Sequence, residues 1–335
     1  MSPAQAAAGS SSDLRPLPLG ELLDRAFHLY FKHFALFIAL LAVVLVPYTI
    51  MGYFQSKDAL DAMLSLFTQT MHAPGTTQPS QAELEKLSRL NGLNGWFGVQ
   101  MAIVFLLLPL ANAAVVVAVS RTYLGLHASF AASYRAATQR WFPILLLIVL
   151  WVVIAGLAFA GLLVLVFIAA AIMGVLATAL HGSTFIAILT AIFLIVLTLA
   201  MIALAVMLYL TVAFSFVAIV LERVDPVRAF TSAFKRVFAP RQTGRSVLLA
   251  LSLFAIQLGF TFMGYAVGGL LAYFLKSAAL YFVAASLIQL LYAPFALLAI
   301  AVFYYDVRIR HEGFDLQLLA EQMASPAATL PSAPA

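Results

Sequence analysis

Residues 141–221 form a run of 81 positions without a single Asp, Glu, Lys or Arg. No other feature constrains the chain as much. A bilayer crossing takes about 20 largely apolar residues, so the run is about four times too long for one upright span. Two long helices meeting near His181-Gly182-Ser183 are the simplest solution. Four short spans would need at least about 68 residues before any turn, which leaves little room.

The remaining charge-free stretches extend the pattern. Residues 33–56 hold a first span (roughly 34–54), residues 90–120 a second (roughly 97–120), and residues 246–275 and 277–305 one each. Apolar residues make up 64% of the chain and DEKR only 9%, against about 45–50% and about 25% in a globular domain. The chain therefore reads as an all-α polytopic membrane helix bundle. Six transmembrane helices are expected in three hairpins, about 34–120, 141–221 and 246–305, within one membrane domain at 14–323. The first apolar run lacks a clear cleavage site and should stay as a span. Residues 1–13 and 324–335, rich in Ala, Ser or Pro, read as disordered tails.

Basic residues orient the spans. With the N-terminus in the cytoplasm, fourteen Lys and Arg fall on inside segments and four, Lys57, Lys86, Arg89 and Lys276, on outside ones. The positive-inside rule then predicts both termini in the cytoplasm, and an even number of spans between Arg140 and Glu222. The net charge of +5 suits anionic headgroups rather than nucleic acid. With no Cys, disulfides and thiol chemistry are excluded. The outside segment near 55–96 suggests a short surface helix near 57–71 and another near 80–90.

A short stretch with helical periodicity precedes each hairpin. Apolar residues lie at Leu23, Phe27, Tyr30 and Phe34, at Phe130, Tyr134, Ala137 and Trp141, and at Phe230, Phe234 and Val237. Such spacings predict amphipathic interfacial helices near 14–33, 129–140 and 226–238. His28, Arg135 and Lys235 occupy equivalent places, at offsets of 107 and 207. Asp225-Pro226 supplies an N-cap followed by Pro at N1. Pro109 precedes Arg121 by twelve residues, as Pro294 precedes Asp306. The unit of amphipathic helix, span and return span thus reads as a threefold helical-hairpin repeat. The alternative is that apolar sequences match easily and amphipathic helices commonly precede spans.

Polar residues inside the spans are few. Gln100, Asn112, Gln257 and Gln289 suit helix packing or a pathway lining. The six His lack HExxH spacing. Charge gathers instead at the span ends, at Arg121, Glu222, Asp306, Arg308, Arg310 and Glu312. Asp306/Arg310 and Arg308/Glu312 are i,i+4 pairs suited to a structural or interfacial collar. No nucleophile, base and metal-ligand set is specified, so no catalytic, metal or cofactor-binding residue is expected.

Two ends of the chain carry a resemblance. Leu14-Arg15-Pro16-Leu17-Pro18-Leu19-Gly20-Glu21-Leu22-Leu23-Asp24-Arg25-Ala26-Phe27 and Tyr304-Tyr305-Asp306-Val307-Arg308-Ile309-Arg310-His311-Glu312-Gly313-Phe314-Asp315-Leu316 resemble the opening and close of bacterial proteins related to the glycerophosphoryl diester phosphodiesterase membrane domain. Leu221-Glu222-Arg223-Val224-Asp225-Pro226, with Ala229, Phe234, Lys235 and Arg236, is similar to their third-repeat start. The resemblance implies a multi-pass location in a bacterial inner membrane. It carries over no catalytic residue, since no soluble stretch here approaches the about 250 residues of a catalytic barrel. The function expected is a non-enzymatic membrane scaffold or accessory in envelope or lipid processes. A lipid or small-solute transporter and a membrane-embedded lipid enzyme are the alternatives. Expected partners are membrane lipids, with a membrane protein or a second copy of the chain.

Overall fold

The computed structural model describes residues 17–72, 81, 85, 97–179, 184–240, 242–275, 278–313 and 316–317. Both expected tails, the helix near 80–90 apart from residues 81 and 85, and the His181-Gly182-Ser183 turn lie outside them. No strand occurs among the described residues, and the protein is an all-α polytopic helix bundle.

In chain order the elements are α1 (Leu19–Lys32), α2 (Phe34–His72), α3 (Phe97–Ala102), a π-helical segment (Ile103–Leu107), α4 (Leu108–Tyr123), α5 (Phe130–Thr138), α6 (Trp141–Ala179), α7 (Thr184–Glu222), α8 (Pro226–Val237), α9 (Thr243–Leu275) and α10 (Ala278–Glu312). Among the described residues six stretches are long and apolar enough to cross a membrane: Phe34–Phe54, Gly98–Tyr123, Trp141–Ile172, Ile188–Glu222, Thr243–Leu275 and Val283–Glu312. The central run resolves into two helices of 39 residues each. One expectation needs correction: no separate helix starts near 57. Instead α2 runs unbroken through His72, because 55–72 contains neither Pro nor Gly to end it.

Two compact units divide the chain. One takes its described residues from Met1–Trp141 and Ser252–Ala335, the other from Phe142–Leu251. In the first, the core lies on α10, where Phe295 and Leu298 to Val307 are buried, and on α4, where Ala111, Ala113 to Val116, Ala118 and Val119 are buried. α1, α2 and α4 pack on α10. In the second unit, α8 packs on α7.

The three short helices obey one rule. Each packs on a return helix: α5 on α4, α8 on α7, and α1, which has no return helix before it, on α10. Their buried rows coincide at the expected offsets. Ala26, Ser133 and Ala233 are buried, as are Tyr30, Ala137 and Val237. The apolar stripe read from the sequence is thus corrected only in part, since Tyr30, Ala137 and Val237 belong to it and are buried. Phe27, Phe130 and Phe234 are exposed, and the buried row is dominated by small side chains. Small residues let a short helix approach its neighbour closely, which leaves these three Phe rings at the edge of the contact while Tyr30 stays inside it.

The return helices also end alike, on a residue in the left-handed region: Gly125 (φ 73°), Arg223 (φ 59°) and Gly313 (φ 60°). Such a residue stops a helix by turning its last carbonyls. α8 begins as expected with Asp225 at the N-cap and Pro226 behind it, but the Asp225 carboxylate makes no cap bond. The Asp225 carbonyl accepts from Ala229 N at 2.8 Å instead. The π-segment sits just before Pro109. Pro offers no N–H and its ring crowds the carbonyl four residues back, and a wider turn relieves both. Leu108 N accordingly donates to Ile103 O.

Candidate functional site

The last turns of α10 hold the densest polar constellation among the described residues. Asp306 is 1% exposed, yet it carries a carboxylate. Burying that group requires partners for both oxygens. Arg310 Nε donates to Oδ2 at 2.9 Å, one helical turn away as the i,i+4 spacing predicts. Leu17 N donates to Oδ1 at 2.7 Å, and Arg310 Nη2 donates to Leu17 O at 2.8 Å. The carboxylate and guanidinium thus grip both polar groups of one peptide residue just before α1. The first and last segments singled out in the sequence are bonded to each other.

Aromatic and hydroxyl groups extend this clasp. Tyr305 OH and Ser120 Oγ share a hydrogen bond of 2.7 Å. The Tyr123 ring stacks on Tyr305, centroids 5.2 Å apart, and the Arg25 guanidinium lies 4.9 Å from the centre of the Tyr123 ring. Cation–π contact of this kind favours a charge held over the ring face. Phe27 stacks on Phe295 at 4.3 Å, and Tyr30 OH donates to Leu291 O at 2.8 Å. Along its length α1 therefore climbs α10 from Asp306 to Leu291. Burial pushes the Tyr30 phenol up to about 12, which keeps it protonated and donating. Tyr134 OH, also raised by burial, donates to Leu40 O at 2.6 Å.

The other sequence-selected charges lie apart from this cluster. Arg308 Nε meets Glu312 Oε2 at 3.0 Å as the second i,i+4 pair. Glu222 and Arg236 pair in a two-pronged geometry, 2.9 Å and 3.3 Å, tying the end of α7 to the end of α8. Arg121 contributes through its backbone, whose carbonyl accepts from Leu126 N at 2.7 Å. The sequence reading missed Leu17, Ser120, Tyr123 and Arg25 as members of one cluster. They come from two segments about a hundred residues apart, both far from Asp306 in the chain, and nothing in local spacing joins those segments. Gln242 Nε2 and Ser246 Oγ, at the start of α9, are buried without a hydrogen-bond partner among the described residues.

Chemically, the clasp is a closed ion pair. Its carboxylate accepts from Leu17 N at one oxygen and from Arg310 Nε at the other. No group of three or more His, Asp or Glu suited to a metal occurs among the described residues. Set against protein-family models, curated proteins and solved structures, the chain matches none of them.

Proposed function

We propose that this chain is a non-catalytic multi-pass protein of a bacterial inner membrane, with both termini in the cytoplasm, serving as a scaffold or accessory in envelope or lipid processes. The observation that carries the reading is the state of Asp306. It is the buried carboxylate of the polar cluster, and both its oxygens are engaged by Leu17 N and Arg310 Nε. A catalytic acid or base must reach a substrate proton, and this one is spent on holding two chain segments together. The two end segments that resemble the opening and close of the glycerophosphoryl diester phosphodiesterase membrane domain meet at Leu17 and Asp306. The middle motif likewise has an internal bond, Glu222 to Arg236.

A transporter is the second reading. The π-segment at Ile103–Leu107 favours it, since π-bulges often mark functional sites in helices. The test is to reconstitute the pure protein in lipid vesicles and assay phosphodiester hydrolysis and solute flux. The scaffold reading expects neither above empty vesicles. Hydrolysis abolished by Asp306→Asn would overturn it in favour of an enzyme. Flux abolished by Pro109→Ala would overturn it in favour of a transporter.

A further inference from the structure

Gln257 on α9 and Gln289 on α10 meet within the apolar part of the third hairpin. Gln257 Nε2 donates to Gln289 Oε1 at 3.2 Å and to Thr261 Oγ1 at 3.0 Å. A primary amide offers one carbonyl oxygen and two N–H donors. The pair therefore has groups to spare: the Gln257 carbonyl and the Gln289 amino group bond to nothing among the described residues. Gln289 is exposed.

The depth of this pair makes the surplus costly. Gln257 lies twelve residues beyond Arg245, about 18 Å along the helix, well inside a hydrocarbon layer about 30 Å thick. Its outward neighbours are Phe254, Leu258, Phe262 and Tyr265, all exposed. Acyl chains offer amides no hydrogen bond. A water-lined path would need the polar surface to continue along the helices, and these neighbours interrupt it.

A second copy of the chain meets the requirement. Each protomer presents one spare acceptor and one spare donor side by side, so a two-fold axis brings each acceptor onto the other copy's donor. That self-complementarity defines an isologous interface, and interhelical amide bonds are an established adhesive between membrane helices. α9 and α10 are already held to each other on either side of the pair: about 16 Å further along α9 a Cβ on Gly268 would come within 2.8 Å of the Tyr281 carbonyl oxygen, and about one turn the other way Tyr292 OH donates to Leu253 O at 3.0 Å. The amides thus sit on a fixed platform. We propose that the Gln257–Gln289 pair is the hydrogen-bonding centre of an in-membrane interface with a second copy of this chain.

The absence of native Cys makes the test direct. Single-cysteine variants Leu258→Cys, beside the pair, and Phe105→Cys, an exposed control on the π-segment, are cross-linked in native membranes with a short thiol-to-thiol reagent. Leu258→Cys should give a two-copy product at least about fivefold above Phe105→Cys. Adding Gln257→Leu and Gln289→Leu together should reduce it about fivefold. Replacing both amides by apolar groups of similar shape removes both partners of their mutual bond and takes one donor only from Thr261 Oγ1, so the chain should still fold. Equal cross-linking at the two cysteines would overturn the proposal, as would a product that joins only a different protein. A two-copy product untouched by the leucine pair, in protein that remains monodisperse, would also overturn it. Should the leucine pair misfold, the comparison of the two cysteines decides alone.

Discussion

Asp306 and Leu17 are 289 residues apart in the chain and 2.7 Å apart in space. Replacing Asp306 with Ala removes the carboxylate that accepts from Leu17 N–H and that pairs with Arg310. Breaking one partner from a buried pair costs about 3 kcal/mol, and thermal unfolding in detergent should show a loss of that order. Exchanging the two charges, Asp306→Arg with Arg310→Asp, should not rescue stability, because Leu17 N–H would then face a guanidinium. A fully stable exchanged variant would mean that the ion pair alone matters. The i,i+4 pairing was legible from the sequence. The burial of Asp306 was not, since it depends on Leu17 arriving from the other end.

His33 gives a second prediction at this scale. Burial, with repulsion from Lys32 and His127, holds its imidazole below the ordinary value of 6.5. The unfolded chain then binds the proton more tightly. Stability is therefore full above about pH 6.5 and falls as pH drops through that value toward the folded-state one. Melting temperatures at about pH 7.5 and about pH 5.5 should differ less in His33→Gln than in the wild type. An unchanged difference would remove His33 as the source.

At the scale of elements, the short helices are held by their small residues. Ala233 is buried and Phe234 is half-exposed on α8. Ala233→Leu should overpack the contact with α7 and cost about 1–3 kcal/mol, whereas Phe234→Ala should stay within about 0.5 kcal/mol. The opposite ranking, measured by thermal unfolding, would restore the aromatic stripe as the packing face. The periodicity located these helices and placed Tyr30, Ala137 and Val237 on the buried face, but hydrophobicity ranks Phe above Ala and so put Phe27, Phe130 and Phe234 there in place of Ala26, Ser133 and Ala233. Close approach of two backbones is a steric matter that such ranking does not register. The stop signals show the same limit: Gly125 and Gly313 end their helices with the expected residue, while Arg223 adopts φ 59° with a side chain. Arg223→Gly relieves a conformation that disfavours L side chains by about 1–2 kcal/mol, partly offset by glycine's greater freedom when unfolded. It should raise stability by about 0.5–1 kcal/mol. A loss instead would show that the Arg223 side chain makes a contact of greater value.

For the whole molecule, six apolar helices were legible because charge-free runs are long and unambiguous. The division of 141–221 into two helices of 39 residues, rather than four, follows from the lack of any charge or Pro near the middle of either half. The length of α2 was not legible, since Lys57 and Asp58 suggested an end where the backbone continues. The proposed topology has an even number of crossings in the central run, with both termini on one side. Because the chain contains no Cys, single cysteines at Ser80, Thr138, Lys235 and His311 can each be probed with a membrane-impermeant thiol reagent in intact cells and after permeabilisation. The proposed topology predicts labelling of Ser80→Cys in intact cells, and of Thr138→Cys, Lys235→Cys and His311→Cys only after permeabilisation. Thr138→Cys and Lys235→Cys on opposite sides of the membrane would contradict it.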